Sequence, residues 1–165
     1  MGNRLSRRFP TVRLRPETPG DMAFLETLYI ANRWPELLAT GWSDLEKTLF
    51  LKSQFDLQSR HYQAHYSGAE RHMVGWGKKI IGRLCLSIDE DDIRVVDIGL
   101  LPAHHRSGIG TALLEWVQEL AVRQAKTVSL HVMCGNPAQR LYQRLGFVAR
   151  DEPRGTHRFM LWTPC

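Results

Sequence analysis

The chain has 165 residues, 43% of them apolar, and a formal net charge of +5. That length and composition describe one ordinary domain with enough core to fold unaided, and they exclude a disordered chain. No run approaches the ~18 consecutive apolar residues of a membrane span, and no apolar stretch of a secretory signal follows the basic start. The basic residues are scattered, with only Arg7-Arg8 and Lys78-Lys79 adjacent. A solvated basic face, or attraction to a small polyanion, fits this pattern better than nucleic-acid binding, which needs a clustered stripe. Cys85, Cys134 and Cys165 form an odd set without metal-ligand spacing, which predicts reduced thiols and a cytoplasmic protein.

Residues 1–10 read as a flexible basic arm, and 11–165 as the folded domain. Residues 11–15 alternate and predict a strand. Thr18 is placed to cap a helix whose apolar stripe is Met22, Leu25, Leu28 and Tyr29. Ser43 followed by Glu46 is a capping box, so a second helix starts there and runs to about residue 66. Leu45, Leu49, Phe55, Tyr62 and Tyr66 keep a roughly helical spacing along it. The period then changes. Residues 72–76, 79–89 and 93–101 read as three strands joined by tight turns, an antiparallel meander. Residues 108–124 return to helical spacing with Ile109, Leu113, Trp116, Val117 and Leu120. A strand over 127–132 follows, then a short helix capped by Asn136-Pro137 and ended by Gly146. Residues 147–149 and 158–162 finish as strands. The order β-α-α-β-β-β-α-β-α-β-β predicts an α/β (α+β) domain: about four helices around one mixed, mostly antiparallel twisted sheet of about seven strands.

The most informative stretch is a strand that runs through Asp97, Ile98, Gly99 and Leu100 into His105-Arg106-Ser107-Gly108-Ile109-Gly110-Thr111. Free N–H groups at a helix start bind phosphate, glycines let it come close, and Arg106 adds a cation. No Gly-Lys-Ser/Thr follows, so this is not a P-loop, and the third glycine or alanine of a dinucleotide fingerprint is missing.

The run resembles the phosphate-binding motif of the GNAT superfamily of acyl-CoA-dependent N-acyltransferases, [Gln/Arg]-x-x-Gly-x-[Gly/Ala]. His105 stands at the motif's first position, and Arg106, one place along, is in place to supply the charge. A second segment, Asn136-Pro137-Ala138-Gln139-Arg140-Leu141-Tyr142-Gln143-Arg144-Leu145-Gly146-Phe147, is similar to the family's Asn-x-x-Ala-x-x-x-Tyr-x-x-x-Gly-Phe, one residue shorter between Asn136 and Ala138. Two motifs in the right order support each other.

The resemblance implies a single GNAT-like domain that moves the acetyl group of acetyl-CoA directly onto a primary amine of a small molecule or peptide, without metal. It implies that His105 to Thr111 hold the pyrophosphate. The backbones of Ile98 and Leu100, with Asn136, Ala138 and Tyr142, line the pantetheine arm. A backbone N–H near Leu100 faces the thioester oxygen, and Tyr142 protonates the departing thiolate, since a phenol outlasts a thiol in holding its proton. Asp97 has two readings. Either it accepts the amine proton or holds the substrate ammonium, or strand alternation turns it away to pair with an arginine. His61, Tyr62 and His65, on the helix that varies among family members, are candidates for the acceptor wall. His61 and His65 have zinc-ligand spacing but lack the companion glutamate, so no metal is expected. Protein acetylation at N-termini or lysines and a non-catalytic CoA-sensing module are the rival readings. No membrane or nucleic-acid partner is expected, and a homodimer is compatible with the resemblance.

Overall fold

The computed structural model describes residues 3–5, 8–150 and 155–165. The chain order is β1 (Asn3–Arg4), β2 (Val12–Pro16), α1 (Met22–Arg33), α2 (Asp44–His65), β3 (Glu70–Trp76), β4 (Lys79–Ile88), β5 (Asp92–Leu100), α3 (Ile109–Gln124), β6 (Thr127–Met133), α4 (Ala138–Arg144), β7 (Val148–Ala149) and β8 (His157–Trp162). The strands form one sheet in the order β1-β2-β3-β4-β5-β6-β8-β7. Every neighbouring pair is antiparallel except β5 with β6. The expected α/β architecture is present. An eighth strand, β1, is added at the edge, from residues expected to belong to the arm; Met1, Gly2, Ser6 and Arg7 of that arm lie outside the described residues.

Helices cover both faces of the sheet. On β3, Met73 packs with Leu25 of α1 and Phe55 of α2, whereas its neighbour Val74 belongs to the main core with Leu113 and Val117 of α3. Successive strand residues point to opposite faces, so this one step in sequence separates the two cores. Leu141 and Leu145 of α4 also pack against the main core. In β4 the six residues Ile81 to Leu86 are all buried, as a central strand covered on both faces requires.

Local signals account for the helix starts. Ser43 and Glu46 form the expected capping box, with Glu46 N–H donating to Ser43 Oγ at 3.2 Å and Ser43 N–H to Glu46 Oε2 at 2.7 Å. Thr18 caps a 3-10 turn, Pro19–Asp21, that leads into α1. Asp21 closes this turn: its carboxylate accepts from Thr18 N–H at 2.8 Å and from Arg15 at 2.7 and 2.8 Å. Along α2 the buried residues are Leu51 and Phe55, while Leu45 and Leu49 are 67% and 58% exposed. The N-terminal part of α2 therefore faces solvent with apolar side chains that periodicity alone would assign to the core. Gly146 ends α4 with φ 89°, as expected.

Candidate active site

The site begins with a break in the sheet. In the β4–β5 ladder Cys85 pairs with Asp97 and Leu86 with Val95, so Val96 is an extra residue. Such a bulge bends its strand and sharpens the twist. Pairing of β5 with β6 runs only from Asp92↔Thr127 to Val95↔Leu130, and β5 continues five residues farther with no partner on that side. Leu101 N–H donates to Ile81 O at 2.8 Å, so by alternation the N–H groups of Ile98 and Leu100 face the gap. The carbonyl of Leu100 also faces it and is already occupied, accepting from His105 Nε2 at 2.8 Å and Asn32 Nδ2 at 3.1 Å. A strand edge with an outward amide at Leu100 next to a gap suits an extended, amide-bearing ligand.

The glycine loop lies at the end of β5. After a 3-10 turn at Pro102–His104, Arg106 takes φ 57° and Gly108 φ 87°, and α3 begins at Ile109. The first N–H groups of α3 have no intrahelical partner. Ser107 Oγ donates to His104 O at 2.6 Å and braces the loop. Ile109 is fully buried, so only its backbone faces the loop. A Cβ at Gly110 would meet nothing within 4 Å. That open space at the N-terminus of a 16-residue helix fits a phosphate group. Of the residues expected to bind phosphate, Arg106, Ser107, Gly108, Gly110 and Thr111 gather here. His105 instead turns back to the Leu100 carbonyl, because a ring nitrogen reaches that acceptor across the loop.

Beyond the gap, Asn136 Oδ1 accepts from Ala138 N–H at 2.9 Å, which makes it the cap of α4 and leaves its amide NH2 group as a donor. Tyr142, on α4, is buried and meets Phe147 edge to face at 5.9 Å. Burial, helped by the Asp97 carboxylate, pushes its phenol up to about 12.

Asp97 stands on the opposite face. Two residues on, a Cβ at Gly99 would touch Asn32 and Leu28 of α1, so alternation directs Asp97 toward α1 and α2. Its carboxylate lies 3.5 Å from Arg83, whose guanidinium also reaches Glu17 at 3.3 Å and sits 5.7 Å from the Tyr62 ring centroid. The side chains of Arg83 and Glu17 are 9% and 13% exposed, that of Asp97 30%. Asp97 therefore does pair with an arginine, and it does so inside the candidate acceptor side. The groups that act on it are Arg83 of β4, Arg33 of α1, the backbone N–H of Ile98 and Glu17 after β2; it acts in turn on Tyr29 of α1, Tyr62 of α2, Cys85 of β4 and Tyr142 of α4. Burial raises the Asp97 pKa, and Arg83 and then Arg33 counter it. Tyr62 is pushed well above the usual phenol range, chiefly by burial.

Tyr62 thus joins Asp97, but His61 and His65 do not. Their rings stack on each other at 4.3 Å and are exposed on α2. Among the described residues no cluster of His, Cys, Asp and Glu is suited to a metal. Sequence reasoning missed Asn32, Arg83 and Glu17. Arg83 carried a signal, a charge inside the apolar run of β4; Asn32 had none, since its partner Leu100 is 68 residues away. Asn32 Oδ1 is buried without a hydrogen-bond partner beside the free edge of β5.

Residues 30–147 match the Acetyltransferase (GNAT) family, and the chain belongs to that family. Family members use acetyl-CoA as co-substrate, and the gap, loop and open Gly110 fit such a ligand. The fold is similar to that of the PaiA N-acetyltransferase from Thermoplasma acidophilum in complex with coenzyme A, at 17% identity and a TM-score of 0.69, over 93% of this chain and 99% of that one. A spermidine N-acetyltransferase SpeG chimera from Vibrio cholerae and hSSAT shows 21% identity and a TM-score of 0.64, over 93% and 95% of the two chains. An Arabidopsis thaliana structure with the bisubstrate analogue CoA-Ac-MVNAL shows 15% identity and a TM-score of 0.62, over 94% and 99%. No curated protein matches the chain by sequence.

Proposed function

We propose that this chain is a cytoplasmic N-acetyltransferase that passes the acetyl group of acetyl-CoA directly to a primary amine of a small molecule or peptide. Bound acetyl-CoA supplies an activated thioester, whose carbonyl carbon the amine attacks. The Leu100 N–H, on the free edge of β5, donates to the oxygen as negative charge builds there. Asp97 accepts the amine proton, a task suited by a carboxyl whose pKa is raised. The Tyr142 phenol keeps its proton throughout the neutral range and donates it toward the sulfur as the C–S bond breaks. The acceptor enters on the α1 and α2 side, past Tyr62, where the partly exposed Asp97 carboxylate can meet its amine.

The observation that best supports this reading is the unpaired stretch of β5 after Val95, which bears the Asp97 carboxylate on the α1 and α2 face and turns the Leu100 N–H to its open edge. The test is thiol release from acetyl-CoA over a panel holding spermidine, tyramine, lysine and a short unblocked peptide. Amine-dependent release supports the proposal, and turnover with the peptide alone favours a protein acetyltransferase. Binding of coenzyme A with no release from any amine points to a sensing module.

A further inference from the structure

Arg8 and Phe9 fall in the stretch expected to be a loose arm, yet the chain there is tied down. Leu5 N–H donates to Val12 O at 3.2 Å and Val12 N–H to Phe9 O at 3.1 Å. Leu5 is buried and Phe9 packs against the main core. The turn so formed stands over the glycine loop: a Cβ at Gly108 would meet Phe9 Cζ at 3.4 Å and Arg8 Nη2 at 3.8 Å. Arg8 Cζ lies 5.5 Å from the Phe9 ring centroid, so the anchored ring helps to place the exposed guanidinium. Arg106 brings a second guanidinium from the loop itself. Among the described residues neither arginine has a carboxylate at ion-pair distance. Cations beside the positive end of a helix dipole are unfavourable until an anion joins them. A ligand with more than one negative charge relieves both repulsions.

We propose that Arg8 binds the pyrophosphate of coenzyme A from outside the glycine loop, so that the N-terminal turn is part of the co-substrate site. This rests on the acetyl-CoA reading of the loop. Coenzyme A carries a second phosphate source, the 3'-phosphate of its ribose. The nearness of Arg8 to Gly108 favours the pyrophosphate, because Gly108 is the N-cap of α3 and the first amides of that helix follow it.

The experiment is titration calorimetry on the full chain and its Arg8→Ala variant, with coenzyme A and with 3'-dephospho-coenzyme A. The variant is expected to melt at the wild-type temperature and to bind both ligands about 5-fold more weakly, by the same factor, as loss of one partly exposed charge-assisted contact implies. A loss confined to coenzyme A puts Arg8 on the 3'-phosphate and overturns the proposal, as does unchanged affinity for both ligands. If the wild-type chain binds neither ligand, the loop assignment itself fails, a result distinct from a wild-type chain that binds and an Arg8→Ala variant that binds equally well.

Discussion

Asp97 lies directly opposite Cys85 across the β4–β5 ladder, one place beyond Val96, the residue that the ladder skips. The bulge has two consequences. It bends β5 out of pairing with β6 after Val95, which opens the cleft. It also resets the alternation, so that Asp97 and Gly99 face α1 and α2 while Leu100 faces the main core. One extra residue thus places the outward Leu100 N–H and the Asp97 carboxylate on the same unpaired stretch of β5.

Tyr142→Phe removes only a hydroxyl and should leave the packing against Phe147 in place. Single-turnover transfer is expected to fall about 10²-fold, the usual scale for a general acid, with acetyl-CoA affinity nearly unchanged. Because the phenol lies near 12, no activity loss from its ionisation should appear in the neutral range. Transfer by Tyr142→Phe at the wild-type rate removes Tyr142 from the chemistry.

Asp97 governs the acid side of the kcat/KM profile in this account. Activity should fall as pH drops through its raised pKa, and Asp97→Asn should lower the rate and flatten that limb. Glu17→Gln removes a negative charge that raises the Asp97 pKa and frees Arg83 to pair with Asp97 alone. Its acid limb is therefore expected to move to lower pH. A limb that stays put in Glu17→Gln while stability falls would make the cluster structural.

Gly108 and Gly110 separate two roles that the motif merges. Gly108 has φ 87°, a conformation that strains any L side chain, so Gly108→Val should destabilise the protein whatever it does to binding. Gly110 has open space and ordinary helical backbone. Gly110→Glu should keep or raise the melting temperature, since an acidic side chain suits a helix start, while weakening coenzyme A about 10-fold or more by occupying and repelling the phosphate position. Undiminished affinity in Gly110→Glu would move the phosphate elsewhere.

Asp21 supplies a pH-dependent part of the stability. Its carboxyl is held far below the ordinary range, first by the Arg15 hydrogen bonds and then by the Thr18 amide and hydroxyl. That contribution is complete above the unfolded carboxyl value of about 4 and is lost as pH falls below it. Asp21→Asn should cost about 1–2 kcal/mol at neutral pH, with Arg15 partly exposed, and the gap from wild type should narrow in acid. Denaturant titrations at two pH values measure it, and an equal gap at both would assign the effect to shape rather than charge.

The fold was legible because its signals are local. Periods of two and near four residues mark strands and helices, the Ser43–Glu46 box marks the start of α2, and Gly146 marks the end of α4. The bulge at Val96 was not legible, since it exists only relative to β4. The cluster of Glu17, Arg83 and Asp97 joins three distant parts of the chain, and Asn32 acquires its meaning from Leu100. His105 stands where the motif has Gln or Arg, and its ring serves the Leu100 carbonyl, a contact that spacing does not encode. The exposed stack of His61 and His65 shows the converse: a shared helix face locates side chains together without saying which way that face turns.

Mass spectrometry of both protein and amine, after mixing the chain with acetyl-CoA in the absence and presence of the best acceptor from the panel, tests direct transfer most closely. The account predicts unmodified protein without amine, and with amine an N-acetylated product formed in step with free thiol. Acetyl groups accumulating on Cys85, Cys134 or Cys165 and then passing to the amine would contradict it, as would thiol release with no acetylated amine.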